Sequence, residues 1–157
     1  PRILNDVVDV NYDRRKSVAV NVQSMLGGDV KGKTIGLLGV AFKPNTDDMR
    51  DAPSVDISEA LLKAGAKVRA YDPVAMDVAG PMMSDVEFCK DPYELAKDSD
   101  ALVVVTEWNE FKQLDLDKVR DLLKTPVIYD GRNIYDPTRM KELGFTYQAI
   151  GRGTNGN

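Results

Sequence analysis

Between Ile3 and Met25 the apolar positions Ile3, Val7, Val10, Val18, Val22 and Met25 recur mostly three, four or seven apart, and Asp, Asn, Arg and Lys fill the opposite face. That spacing predicts one long amphipathic helix, ended by Gly27-Gly28. The cationic run Arg14-Arg15-Lys16 reads as part of its solvated face, with contact to another domain or subunit as the alternative. Beyond Lys31 the pattern changes to short β-branched runs alternating with helical segments. Strands are predicted at Lys33 to Leu38, Lys67 to Tyr71, Val86 to Cys89, Ala101 to Thr106, Pro126 to Tyr129 and Phe145 to Ile150. Helices are predicted at Val55 to Lys63, Tyr93 to Lys97 after the turn pair Asp91-Pro92, Leu116 to Leu123 and Thr138 to Leu143. The almost wholly apolar run Ala101 to Thr106 has the composition of a central parallel strand covered on both faces.

Strands separated by helices of this size form βαβ units. The expected fold is therefore α/β, a Rossmann-like doubly wound parallel sheet with helices on both faces, preceded by the long N-terminal helix. Ligands of such sheets bind at the carboxyl ends of strands, which singles out the loops after Leu38, Tyr71 and Tyr129. The Gly/Asn-rich tail is expected to be disordered.

Composition narrows the chemistry. The chain of 157 residues carries 21 Lys+Arg against 25 Asp+Glu, a formal charge of −4. A mildly acidic domain argues against a general nucleic-acid or membrane-surface binder, since both need a basic face. No stretch approaches the ~18 apolar residues of a membrane span, and nothing resembles a signal peptide. There is no histidine, and Cys89 is the only cysteine, so this chain assembles neither an intrachain disulfide nor a His/Cys metal cluster. A reducing cytoplasm is the expected compartment. The first residue is Pro1 rather than Met, which suggests a piece of a longer protein.

Gly36-Leu37-Leu38-Gly39 is a near miss to the dinucleotide fingerprint: Leu38 holds the place of the glycine that lets backbone approach a pyrophosphate. The loop then runs far past a tight turn, so a dinucleotide site here is not expected. Asp72 sits where such folds keep a ribose-binding acid, or, followed by Pro73, serves as a turn and capping residue. Asp47 and Asp48 form either an acid/base or metal pair, or caps for neighbouring N–H groups and a partner for Arg50. Lys43 and Arg132 each lie just past a strand's carboxyl end, which brings them to one rim and suits a phosphate or carboxylate ligand. Phe42 is either an aromatic face for a base or a core side chain. Cys89, with no clustered cation nearby in sequence, reads as a buried inert thiol.

The stretch Gly39-Val40-Ala41-Phe42-Lys43-Pro44-Asn45-Thr46-Asp47-Asp48-Met49-Arg50-Asp51-Ala52-Pro53-Ser54, with Gly65-Ala66, Ala70-Tyr71-Asp72-Pro73, Thr106-Glu107-Trp108 and Asp130-Gly131-Arg132-Asn133, resembles the C-terminal domain of UDP-glucose 6-dehydrogenases, within the UDP-glucose/GDP-mannose dehydrogenase family. The resemblance covers Lys31 to Gly151. It implies residues 1–28 as the end of a long interdomain and dimerisation helix, residues 31–151 as a Rossmann-like UDP-sugar-binding domain, and residues 152–157 as a disordered tail. It further implies that Phe42, Lys43 and Arg132 contact UDP-glucose, and that NAD is bound by an N-terminal domain outside this chain. The intact enzyme is then a cytoplasmic homodimer or higher homo-oligomer that oxidises the sugar's C6 alcohol in two hydride transfers through a catalytic Cys. No catalytic residue and no metal ligand is assigned here, because Cys89 lacks the family's Gly-rich Cys-Phe-Pro-Lys-Asp context, and the chain alone is expected to be inactive. Two alternatives stand beside this: the same domain of a GDP-mannose or UDP-N-acetylhexosamine dehydrogenase, and a non-enzymatic flavodoxin-like or receiver-like module. An exposed apolar helix face between Ile3 and Val22 would also favour self-association.

Overall fold

The β-branched runs and the helical segments between them resolve into a sheet of seven strands in the order β3-β2-β1-β4-β5-β6-β7. The structure is a computed structural model and describes residues 15, 17–151 and 153–154. The strands are β1 (Thr34–Leu38), β2 (Lys67–Tyr71), β3 (Glu87–Phe88), β4 (Ala101–Val104), β5 (Val127–Asp130), β6 (Thr146–Ala149) and β7 (Gly153–Thr154). The first six run parallel, and β7 pairs antiparallel with β6. Strand order reverses between β1 and β4, the arrangement of a doubly wound Rossmann-like sheet. The expected fold class is the one observed.

Helices cover both faces. A helix described over residue 15 and residues 17–25 (α1) and α2 (Pro53–Lys63) lie on one side. They pack with Ile35, Leu37, Val68, Val103, Val127 and Tyr129, while Leu38, Leu102, Val104, Ile128 and Tyr147 meet the opposite layer. That layer contains α4 (Pro92–Ala96), α5 (Asn109–Lys112), α6 (Leu116–Leu122) and α7 (Pro137–Glu142). Strand side chains alternate between faces, so β4 with all four residues buried feeds two separate cores. Helix starts follow the local code: Asp91, Asp115 and Asp136 each accept a bond from the backbone N–H three residues on.

The structure departs from the sequence reading at several points. The helix α3 (Met76–Ala79), the 3-10 turn Gly80–Met82 and α5 are single turns of three or four residues, too short to show a helical period. Gly153–Thr154 are not free tail: their backbone adds a strand to the β6 edge. Arg15 is not a solvated charge, since Nη1 donates to Asp56 Oδ2 at 2.6 Å and Nη2 to the Asp51 carbonyl at 2.6 Å. Val18 and Val22 are buried in this domain's own core and are not available for self-association. Ile3, Val7, Val10, Arg14 and Lys16 lie outside the described residues.

Candidate functional site

Leu38, Val104 and Asp130 stand level across β1, β4 and β5, so three loops leave the sheet side by side. The first turns sharply at Gly39, whose φ of +91° and close neighbour Thr106 both require glycine: a Cβ there would lie 2.5 Å from Thr106 Cβ. Asp72, fully buried, holds this turn. Its Oδ2 accepts from Val40 N (2.8 Å), Ala41 N (3.1 Å) and Trp108 Nε1 (3.1 Å), and its Oδ1 accepts from Val74 N and Ala75 N at 2.9 Å each. Thr106 Oγ1 donates to the Ala41 carbonyl at 2.8 Å, and Ser54 Oγ to the Val40 carbonyl at 2.7 Å.

Beyond this tethered turn the chain emerges at Phe42, whose side chain is half exposed rather than in the core, and at Lys43, which is exposed. The loop folds back on itself through Phe42 N, which donates to the Asp48 carbonyl at 2.9 Å. Asp48 is paired with Arg50 at 3.0 Å, and the Arg50 guanidinium and its N–H, helped by the charge of Lys43, hold the carboxyl down at about 2. Of the two acids it is Asp48 that caps an N–H and pairs with Arg50; among the described residues there is no group of three or more His, Cys, Asp and Glu fit to hold a metal.

The third loop is organised by a second buried carboxylate. Asp130 accepts from Arg132 N (3.1 Å), Ile134 N (2.9 Å), Tyr135 N (3.0 Å) and Tyr147 OH (2.6 Å). Gly131 donates its N–H to the Val104 carbonyl at 3.0 Å, and a Cβ on it would come within 2.6 Å of that same oxygen. Arg132 leaves this loop and bonds Glu107, with Nε 2.8 Å from Oε2 and Nη2 on the same oxygen.

Between these loops lies a crevice of about 290 Å³, lined by Phe42, Val104, Gly131, Arg132 and Ile150 at the strand ends and by Arg15, Val18 and Ile57 from the α1–α2 side. Two of the three residues singled out in the sequence, Phe42 and Arg132, thus share one space. Lys43 sits next along the loop from Phe42, outside the lining set. Two functional candidates were not foreseen. Arg15 follows the same three-and-four spacing as Val18 and Val22, a signal that would have placed it on the buried stripe. Glu107 follows the carboxyl end of the central strand, where the general rule for such sheets applies as much as after β1. The loop after Tyr71, by contrast, supports the site through Asp72 and does not line it.

The same geometry tests a dinucleotide on this domain. Both Asp72 oxygens are filled by five donors, leaving none for a ribose, and Leu38 occupies the glycine position of the fingerprint. The residues do not fit NAD here. Cys89 is buried, and burial pushes its thiol up from its usual value despite nearby Arg69, which is the behaviour of an unreactive side chain.

The 3-2-1-4-5-6 parallel order with a largely apolar crevice at the strand ends, carrying two arginines and one aromatic ring, is that of doubly wound α/β domains, whose ligands bind at such a switch point. The chain belongs to the UDP-glucose/GDP-mannose dehydrogenase family: residues 36–137 match the model of that family's UDP binding domain. It is 44% identical over 151 residues to a UDP-glucose 6-dehydrogenase of Rhizobium meliloti (strain 1021), an alignment covering 96% of this chain and 35% of that protein. Among solved structures it resembles a UDP-glucose dehydrogenase from the archaeon Pyrobaculum islandicum (TM-score 0.73, 31% identity, 90% of this chain and 30% of that one). It also resembles an NDP-N-acetyl-D-galactosaminuronic acid dehydrogenase from Methanosarcina mazei Go1 (TM-score 0.77, 30% identity, 90% and 29%). The chain spans about a third of the length of the curated relatives it matches. Membership in this family displaces the flavodoxin-like and receiver-like alternatives.

Proposed function

We infer that this chain is the UDP-holding part of a UDP-glucose 6-dehydrogenase that converts UDP-glucose to UDP-glucuronate with NAD, in the cytoplasm, as a homodimer or higher homo-oligomer. The observation that carries the reading is the crevice itself: Phe42 and Arg132, from different βα loops, line one space inside the region matched to a UDP binding domain. The names of the most similar relatives support the choice of sugar nucleotide. In this reading the Phe42 ring offers a face to the uracil, and the Arg132 guanidinium and Lys43 ammonium meet the diphosphate. At about 290 Å³ the crevice is at the small end of ligand pockets, roughly 300–1,000 Å³, so it takes part of a nucleotide sugar and leaves the sugar end projecting. Projection suits a reaction completed elsewhere: NAD, which does not fit this domain, supplies hydride acceptance on another part of the enzyme. The residues here bind and orient the diphosphate.

Calorimetric titration of the chain with UDP tests the reading. A charge-assisted contact is worth about 1.5–3 kcal/mol, so Arg132→Ala and Lys43→Ala should each weaken binding by roughly 10- to 100-fold. The chain mixed with UDP-glucose and NAD should give no rise in NADH absorbance. Unchanged affinity in both variants, or NADH formation, overturns the assignment.

A further inference from the structure

Arg132 is the only described side chain whose guanidinium spans from one wall of the crevice to the loop after β4, and that loop is unusually well fixed around Glu107. On one side of Glu107, Thr106 Oγ1 donates to the Ala41 carbonyl at 2.8 Å, and Val105 N donates to the Leu38 carbonyl at 2.9 Å. On the other side, Trp108 Nε1 donates to the buried Asp72 carboxylate at 3.1 Å. The segment carrying Glu107 is thus tied to β1 and the loop after it before the residue, and to the loop after β2 behind it. Arg132 has a comparably fixed base, because its N–H donates to Asp130 and Gly131 is pressed on the Val104 carbonyl.

Two rigid loops meeting through one ion pair leave Arg132 little freedom. Its Nε and one Nη both go to Glu107 Oε2, while Glu107 Oε1 is buried and has no hydrogen-bond partner among the described residues. A carboxylate with one buried, unsatisfied oxygen loses heavily if its remaining partner leaves. Glu107 therefore keeps Arg132 in place when an anion arrives, instead of releasing it. Of the five guanidinium donors two are engaged, and the others remain for a ligand.

We propose that Glu107 is a positioning residue for diphosphate recognition: it holds the Arg132 guanidinium in the crevice so that the unspent donors meet a ligand phosphate without first being ordered. Ordering a long side chain at the moment of binding costs about 0.5–1.5 kcal/mol, and a pre-set fork avoids that cost. The inference rests on UDP being the ligand of this crevice, as inferred above. Glu107 touches no reacting atom in this account; it acts through Arg132.

The test titrates the 157-residue chain and its variants Glu107→Ala, Glu107→Gln, Arg132→Ala and Glu107→Ala/Arg132→Ala with UDP and with uridine. Glu107→Ala should weaken UDP by about 2- to 13-fold, the factor that corresponds to the ordering cost, and leave uridine unchanged. Glu107→Gln, whose amide oxygen still accepts from Arg132, should recover most of the affinity. In the Arg132→Ala background the Glu107 change should add nothing further. Equal losses for UDP and uridine would mark a merely structural role, and unchanged or tighter UDP binding by Glu107→Ala, or additive losses in the double variant, would overturn the proposal. Arginine Nε–H resonances in the ligand-free chain separate this failure from failure of the UDP reading. A protected Arg132 Nε–H that is lost in Glu107→Ala upholds the positioning even if UDP proves the wrong anion, whereas an unprotected Nε–H in the parent chain sinks the positioning whatever the ligand.

Discussion

Asp72 and Asp130 occupy matching stations just past β2 and at the end of β5; Asp72 gives its carboxylate to N–H groups of its own loop and of the loop after β1, Asp130 to those of the loop that follows it. The choice of Asp follows from the number of donors: five converge on Asp72 from three different loops, and only a carboxylate has acceptor sites enough for them. In Asp72→Asn an amide NH₂ replaces one acceptor and leaves at least two buried N–H groups facing another donor. At about 1–3 kcal/mol for each orphaned group the loss should be about 2–6 kcal/mol, read from urea denaturation; a change under 1 kcal/mol would contradict the role. The turn-and-cap reading of Asp72 was available from its neighbour Pro73, whereas its bond to Trp108 joins residues far apart in the chain and was not. Asp48 behaves differently, because it is only partly buried and its partner is the exposed Arg50. Its carboxyl is lowered from 3.8 to about 2, first by the Arg50 side chain and then by the Arg50 N–H. A carboxyl lowered in the folded state contributes stability that is present above pH 4 or so and fades as the pH falls toward 2. Carboxyl NMR should show the Asp48 midpoint near 2, returning toward 3.8 in Arg50→Ala.

At the scale of elements, long periodic segments were readable and single turns were not. The strand at Lys67–Tyr71 has the limits the alternation predicted, and α2 differs only by starting at Pro53 rather than Val55. By contrast α3 and α5 are one turn each, formed where the chain already packs against the sheet. The tight joint between the loops after β1 and β4 depends on Gly39. Gly39→Ala meets both a positive φ and a Cβ 2.9 Å from the Thr106 backbone N, so neither rotation nor side-chain adjustment relieves it. The expected loss is about 2–4 kcal/mol, with UDP affinity falling alongside because Phe42 and Glu107 lose their common support. A denaturation midpoint equal to that of the parent chain would show that the loops can part without cost.

On the scale of the whole molecule, α1 is held to the α/β layer by Val18, Ala19 and Val22 in the core and by Arg15, its first described residue. Arg15 bonds both Asp56 of α2 and the Asp51 carbonyl, and it also lines the crevice, so helix docking and the site share a residue. Arg15→Ala should cost about 1–2 kcal/mol locally, seen as 5- to 30-fold faster amide exchange at Val18 to Val22 with little effect on β4. Exchange unchanged in α1 would mean the apolar contacts alone anchor it. The sequence by itself determined the order and type of the main elements, the doubly wound class and the motif that places the chain in its family. These depend on backbone periodicity and on short runs of residues, which act over a few positions. Only the tertiary structure decided which charges meet. Arg132 with Glu107 and Arg15 with Asp56 are 25 and 41 residues apart, and their pairing depends on strand register and helix docking that no local pattern encodes.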